Sequence, residues 1–176
     1  MKCSADYTRK VRKKQESSRA MSDKTIVVLN SILTKAVYAL YPLLLIYLAA
    51  YHLTDKEPGF VPALLVPGIS FVLLSIFRDK VDAPRPYEMP GAAPPIIQKD
   101  ASGKSFPSRH IFSIFVIAVT FFWVWPAAGV LIGIAGALLA WVRVKGGVHF
   151  PRDVIAGALI GIGCGIVGFY VILPLI

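Results

Sequence analysis

The chain has 176 residues, a formal charge of +9, a hydrophobic fraction of 56% and a mean hydropathy of +0.64. That is too apolar for an ordinary soluble domain, and a soluble helical bundle built from such runs would expose apolar surface all round. The positive charge does not point to nucleic acid: no recognition motif accompanies it, and membrane burial leaves little surface for one.

Residues 1–32 are expected to form a basic tail, either without regular structure or as an amphipathic helix lying on the membrane surface. Met1–Lys35 holds nine Lys or Arg against three acids. A basic segment beside a span marks the cytoplasmic side and attracts anionic head groups. Met21 offers an alternative start. No cleavable leader is expected, because the first apolar run is long enough to span.

Residues 33–176 are expected to form the membrane domain. Four stretches lack Asp, Glu, Lys and Arg: Ala36–Thr54, Pro58–Phe77, Ile111–Val142 and Val154–Ile176. A spanning helix needs about 20 mainly apolar residues. The first, second and fourth stretches fit one span each, the first with Pro42 as a candidate kink. The third is 32 residues long, with Trp125-Pro126-Ala127 near its middle. Proline is tolerated at a helix start and breaks an interior, so this stretch is read as two helices around a tight turn. The predicted fold is an all-α polytopic membrane bundle of about five transmembrane helices: Leu33–Leu53, Phe60–Phe77, Ser108–Trp125, Ala127–Arg143 and one opening at Pro151. Gly157, Gly161 and Gly165 recur at four-residue spacing and are read as a close-packing face. Cys3 and Cys164 belong to no ligand cluster, so neither a disulfide nor a metal site is expected. His52 has nothing chemical around it in sequence.

Alternation of spans brings the end of the second, the start of the third, the end of the fourth and the start of the fifth to one membrane face. Arg78, Arg85, Arg109, His110, Arg143, His149, Arg152 and Asp153 therefore share a side. Arginines suit a phosphate, because guanidinium stays charged and binds its oxygens in bidentate fashion. Helix starts at Ser108 and Pro151 add backbone N–H donors. Two histidines permit divided labour, one attacking phosphorus and the other protonating the leaving oxygen. His149 and Asp153 are four residues apart at a helix start. The carboxylate can thus reach back to one imidazole nitrogen and make the other the nucleophile.

Arg85-Pro86, then Pro107-Ser108-Arg109-His110, then Arg143 followed by His149 and Asp153 in the pattern R-x5-H-x3-D, resemble the three signature motifs of the type 2 phosphatidic acid phosphatase family. That superfamily includes vanadium haloperoxidases and bacterial acid phosphatases. The resemblance covers about Phe60 to the C-terminus. It implies a phosphatidic acid phosphatase/haloperoxidase-like core with His149 as nucleophile, Asp153 orienting it and His110 as general acid. It also implies that Arg85, Arg143 and Ser108 contact phosphate, and that neither a metal nor another cofactor is needed. Arg78 stands where the first motif has lysine, Arg109 where the second has glycine, and Val142 where the third begins with serine. Arg109 is a candidate contact for a second phosphate or a head group. Family members in membranes often have six spans, and here the basic tail takes the place of the first.

The expected function is hydrolysis of a lipid phosphomonoester or diphosphate (phosphatidic acid, phosphatidylglycerophosphate or a polyprenyl diphosphate) through a phosphohistidine. The expected partners are the lipid substrate and the bilayer, with no nucleic acid. A phosphotransferase sharing the intermediate and a non-enzymatic lipid-binding protein are the rival readings. The expected location is a bacterial cell membrane. The tail charge places the motif-bearing face in the cytoplasm, whereas the resemblance implies the outer face for many members.

Overall fold

The computed structural model describes residues 2–55, 59–98 and 102–175, with the side chains of the first helix described from residue 22 to residue 50. The helices are α1 (Lys2–Asp55), α2 (Phe60–Val81), α3 (Arg109–Val124), α4 (Pro126–Lys145) and α5 (Pro151–Ile166). A short 3-10 turn at Pro86–Glu88 interrupts the α2–α3 connection, and α5 runs on as a π-helical segment, Val167–Ile172.

Among the described residues, four segments are long and apolar enough to cross a membrane: Ser22–Ala50, Phe60–Glu88, Pro126–Lys145 and Pro151–Leu175. α3 is the exception, with 16 residues. At 1.5 Å per residue it reaches about 24 Å, short of a hydrocarbon core of about 30 Å. Its apolar side chains are spent inside the bundle. Ile111, Phe112, Ile114, Val116, Ile117, Ala118 and Phe121 are all buried. α3 packs most heavily on α4 and α5 and also touches α1 and α2. The outer helices turn Leu43, Ile46, Leu65, Leu73, Leu131, Ile134 and Leu159 outward. That is the surface a bilayer covers, so this is an integral membrane protein.

α1 runs without a break through the expected boundary at residues 32 and 33. The sequence explains this, since no Gly or Pro precedes Pro42. The helix also continues through Pro42. The amphipathic character expected of the tail depends on side chains 1–21, which lie outside the described residues, as do those of Cys3 and His52. Cys164 is a free thiol. The α3–α4 turn is as expected: Trp125 is extended and Pro126 opens α4.

Gly157 and Gly161 set how close α5 comes to α3. A Cβ at Gly157 would lie 2.7 Å from the Ser108 carbonyl oxygen, and one at Gly161 would lie 2.6 Å from that of Phe112. In lipid, helix association relies on such packing rather than on expulsion of water. The approach also lets the Ser108 N–H donate to the Asp153 carbonyl at 2.8 Å. This ties the start of α3 to the start of α5.

The α2–α3 connection folds back over this end of the bundle. Glu88 holds it, accepting from the Arg85 N–H at 2.6 Å and the Gly103 N–H at 2.7 Å. The Ser105 N–H donates to the Ala83 carbonyl at 2.8 Å, and the Ile96 and Ile97 N–H groups both reach the Gly146 carbonyl. Ile97 packs with Ile26, Val142 and Val148 in a small cluster that anchors the loop to α1 and α4.

Candidate active site

His149 lies in the α4–α5 connection and is 2% exposed, and Asp153 in the first turn of α5 is fully buried. Pro151 starts α5 at a favoured position and places Asp153 one helical turn after His149. His149 Nδ1 stands 3.7 Å from Asp153 Oδ2. Ser105 sits between them. Its hydroxyl donates to Asp153 Oδ2 at 2.5 Å and lies 3.4 Å from His149 Nδ1. The Phe150 N–H donates to the same carboxylate oxygen at 3.1 Å. Arg152 Nε lies 3.5 Å from the other oxygen. The carboxylate is therefore fixed on several sides and faces the Nδ1 edge of the ring.

His149 also lines a polar cavity of about 320 Å³, together with Ser75, Arg78, Asp79, Arg85, Ser102, Lys104, Arg109 and His110. Arg78 and Arg85 are almost fully buried. The Arg78 guanidinium donates to the Pro107 and Lys104 carbonyls. Arg85 Nε donates to the Gly103 carbonyl at 2.9 Å and its Nη1 to the Val148 carbonyl at 3.4 Å. These carbonyls hold both forks in place without neutralising them. The carboxylate lining the cavity, Asp79, is paired with Lys104 at 3.0 Å. Buried cations are costly unless an anion uses them. The cavity therefore suits an anion with several oxygens.

α3 contributes its N-terminus. Ser108 is the residue just before the first turn. Its hydroxyl is buried with no hydrogen-bond partner among the described residues. His110 follows in the first turn, half-buried, its ring 6.0 Å from that of Tyr38. Arg109 is exposed, with its guanidinium 5.6 Å above the Phe71 ring. Arg109 and His110 also line a mostly apolar groove of about 540 Å³ between α1, α2 and α3, together with Tyr38, Tyr41, Leu64, Phe71 and Ile117.

Of the residues singled out in sequence, Arg78, Arg85, Arg109, His110 and His149 thus line one cavity, with Asp153 behind His149 and Ser108 at the adjoining helix start. Arg143 is 4% exposed and opens instead, with His110, on a neighbouring cavity. The sequence alone assigns no role to Ser105. The signal that could have found it is weak: a serine three residues before Ser108, at the end of a loop that has to fold onto α5.

Residues 59–175 match the family model of the PAP2 superfamily. The chain is 42% identical over 66 residues to the putative undecaprenyl-diphosphatase YbjG of Escherichia coli, a match spanning 36% of this chain and 33% of that protein. It is 29% identical over 146 residues to the bacitracin transport permease protein BcrC of Bacillus licheniformis, covering 75% and 68%. Among solved structures, LpxE of Aquifex aeolicus is similar with a TM-score of 0.66 at 28% identity, over 84% of this chain and 85% of that one. A transmembrane PAP2 type phosphatidylglycerolphosphate phosphatase from Bacillus subtilis shares the fold with a TM-score of 0.59 at 24% identity, over 88% and 84%. Motif, fold and family model agree, and the chain belongs to the PAP2 superfamily.

Proposed function

We propose that the protein hydrolyses a lipid phosphate or diphosphate through a phosphohistidine on His149. The observation that carries this reading is the position of His149, with Nδ1 facing Asp153 and Ser105 and its ring at the wall of a cationic cavity. The Asp153 carboxylate favours the Nδ1–H tautomer and makes Nε2 the nucleophile. Nε2 attacks phosphorus, the bond from phosphorus to the leaving oxygen breaks, and His110 gives that oxygen a proton. Water then attacks the phosphohistidine, His110 takes its proton, and inorganic phosphate leaves. Arg78 and Arg85 together with the Ser108 hydroxyl stabilise the charge that develops on the equatorial oxygens, and Arg143, which lines the neighbouring cavity with His110, contacts phosphate on the leaving side. Every step is assigned to a side chain.

The apolar groove beside Arg109 and His110 supports a lipid substrate, since a tail lying between α1 and α2 would deliver its head group to the cavity. Phosphatidic acid, phosphatidylglycerophosphate and a polyprenyl diphosphate are the candidate substrates. The name of the Escherichia coli relative supports the last.

Phosphate release by purified protein tests the reading. Wild type is expected to turn over at least one of these lipids and to form an acid-labile, base-stable phosphoenzyme. His149→Ala abolishes both, and His110→Ala slows turnover by about 10²–10⁴-fold. Equal release by wild type and His149→Ala would refute the mechanism. Label passing to an alcohol acceptor in preference to water would mark a phosphotransferase.

A further inference from the structure

A second cavity, of about 570 Å³, lies between α1 and the α4 end of the bundle, lined by Val27, Asn30, Ser31, Thr34 and Lys35 of α1 and by Ile96, Ile97, Gln98, His110 and Arg143. Val27, Asn30, Ser31 and Thr34 fall at i, i+3, i+4 and i+7, which is one face of a helix. Polar residues inside a spanning segment are costly, and their usual bland role is to bond neighbouring helices. That role is not filled here. Asn30 Oδ1, Thr34 Oγ1 and Arg143 Nε are buried without a hydrogen-bond partner among the described residues. Lys35 and Arg143 supply two cations, and no carboxylate lines the cavity among the described residues. The chemistry is that of an anion site with additional hydrogen-bonding capacity.

Its position gives it a use. His110 lines this cavity, the cationic cavity of His149 and the apolar groove alike. In the mechanism above, on which this inference rests, His110 protonates the leaving oxygen. The atoms attached to that oxygen therefore lie beside His110, away from the phosphorus under attack. We infer that the α1 cavity is a second anion subsite, holding a phosphate group carried by the leaving part of the substrate. Phosphatidic acid leaves as a neutral diacylglycerol and has nothing to place there. A polyprenyl diphosphate leaves as a monophosphate, and phosphatidylglycerophosphate leaves as a phosphodiester. Both carry the second phosphate that Lys35, Thr34 and Arg143 fit, so the subsite selects lipids with two phosphates over lipids with one.

The test uses the full chain in nanodiscs and compares kcat/KM for farnesyl diphosphate, phosphatidylglycerophosphate and phosphatidic acid. Lys35→Gln and Thr34→Val are expected to lower the ratio of at least one two-phosphate lipid to phosphatidic acid by about tenfold, the scale of one charge-assisted hydrogen bond. The lipid whose ratio falls further identifies the source of the second phosphate. Binding of farnesyl methylenebisphosphonate, which cannot be hydrolysed, is measured in parallel by calorimetry. If wild type hydrolyses none of the lipids but Lys35→Gln still weakens this binding about tenfold, the phosphatase reading falls and the subsite stands. If Lys35→Gln changes neither the ratios nor the binding, the subsite is overturned whatever the turnover.

Discussion

The Ser105 hydroxyl donates to Asp153 Oδ2 at 2.5 Å while lying 3.4 Å from His149 Nδ1. A loop residue thus braces the carboxylate that faces the proposed nucleophile, and all three side chains are buried. Ser105→Ala removes one donor and leaves the Phe150 N–H on the same oxygen. Losing one hydrogen bond to a buried charged group costs about 1–3 kcal/mol. Part of that is expected to appear as a fall in kcat of about tenfold, with KM little changed. Ser105→Thr, which retains the hydroxyl, should recover more activity than Ser105→Ala if its extra methyl is accommodated. Steady-state phosphate release distinguishes the two.

Asp153→Asn is the sharper probe of the same arrangement. The amide is nearly isosteric but can present an N–H to Nδ1, which favours the wrong tautomer. In catalytic triads the corresponding change lowers kcat by about 10⁴-fold. A loss on the order of 10²–10⁴-fold is expected here, with the phosphoenzyme forming slowly rather than failing to break down. Rapid-quench measurement of phosphoenzyme formation checks this. Normal formation with slow breakdown would assign Asp153 to the second step instead.

Much of this site was legible in sequence because its chemistry is local. His149 and Asp153 are separated by one helical turn, so their meeting follows from Pro151 starting a helix. Span alternation likewise required Arg78, Arg85, His110 and His149 to share one end, and they line one cavity. Other features were not legible, for a common reason. Ser105 acts across 48 residues of sequence, through a loop whose path is set by Glu88, Gly103 and the Gly146 carbonyl. Nor did spacing show that Arg143 would open on a different cavity from Arg85. The tail illustrates the limit of composition. Its charge suggested a separate segment, yet helix propensity with no Gly or Pro carries α1 through the boundary.

Gly157 links packing to the site. A Cβ there would approach the Ser108 carbonyl oxygen to 2.7 Å and the Phe112 backbone nitrogen to 3.3 Å, and both are backbone atoms with little room to yield. Gly157→Ala must push α5 from α3, lengthening the 2.8 Å bond between the Ser108 N–H and the Asp153 carbonyl. Overpacking of this kind costs about 1–3 kcal/mol. A lower thermal unfolding midpoint in detergent is expected together with reduced kcat. Gly163→Ala is the control, because a Cβ there meets nothing within 4 Å. It should leave both quantities close to wild type.

Sidedness follows from the same alternation of helices. Val27, Asn30, Ser31, Thr34 and Lys35 of α1 line a cavity with His110 and Arg143, so the start of the first span and the proposed active site share a membrane face. The nine basic residues in Met1–Lys35 favour the cytoplasm for that face. Active-site arginines also add positive charge there, but the tail carries the bias without them. Ala92 is exposed in the α2–α3 connection on this face, and Ala127 is exposed at the opposite end in the first turn of α4. Single-cysteine variants Ala92→Cys and Ala127→Cys, in a background with Cys3→Ser and Cys164→Ala, separate the two orientations. A membrane-impermeant maleimide is expected to label Ala127→Cys in intact cells and Ala92→Cys only in inverted vesicles. The reverse pattern would put the active face outside. The substrate would then have to be presented in the outer leaflet, and the tail would be an exception to the positive-inside rule.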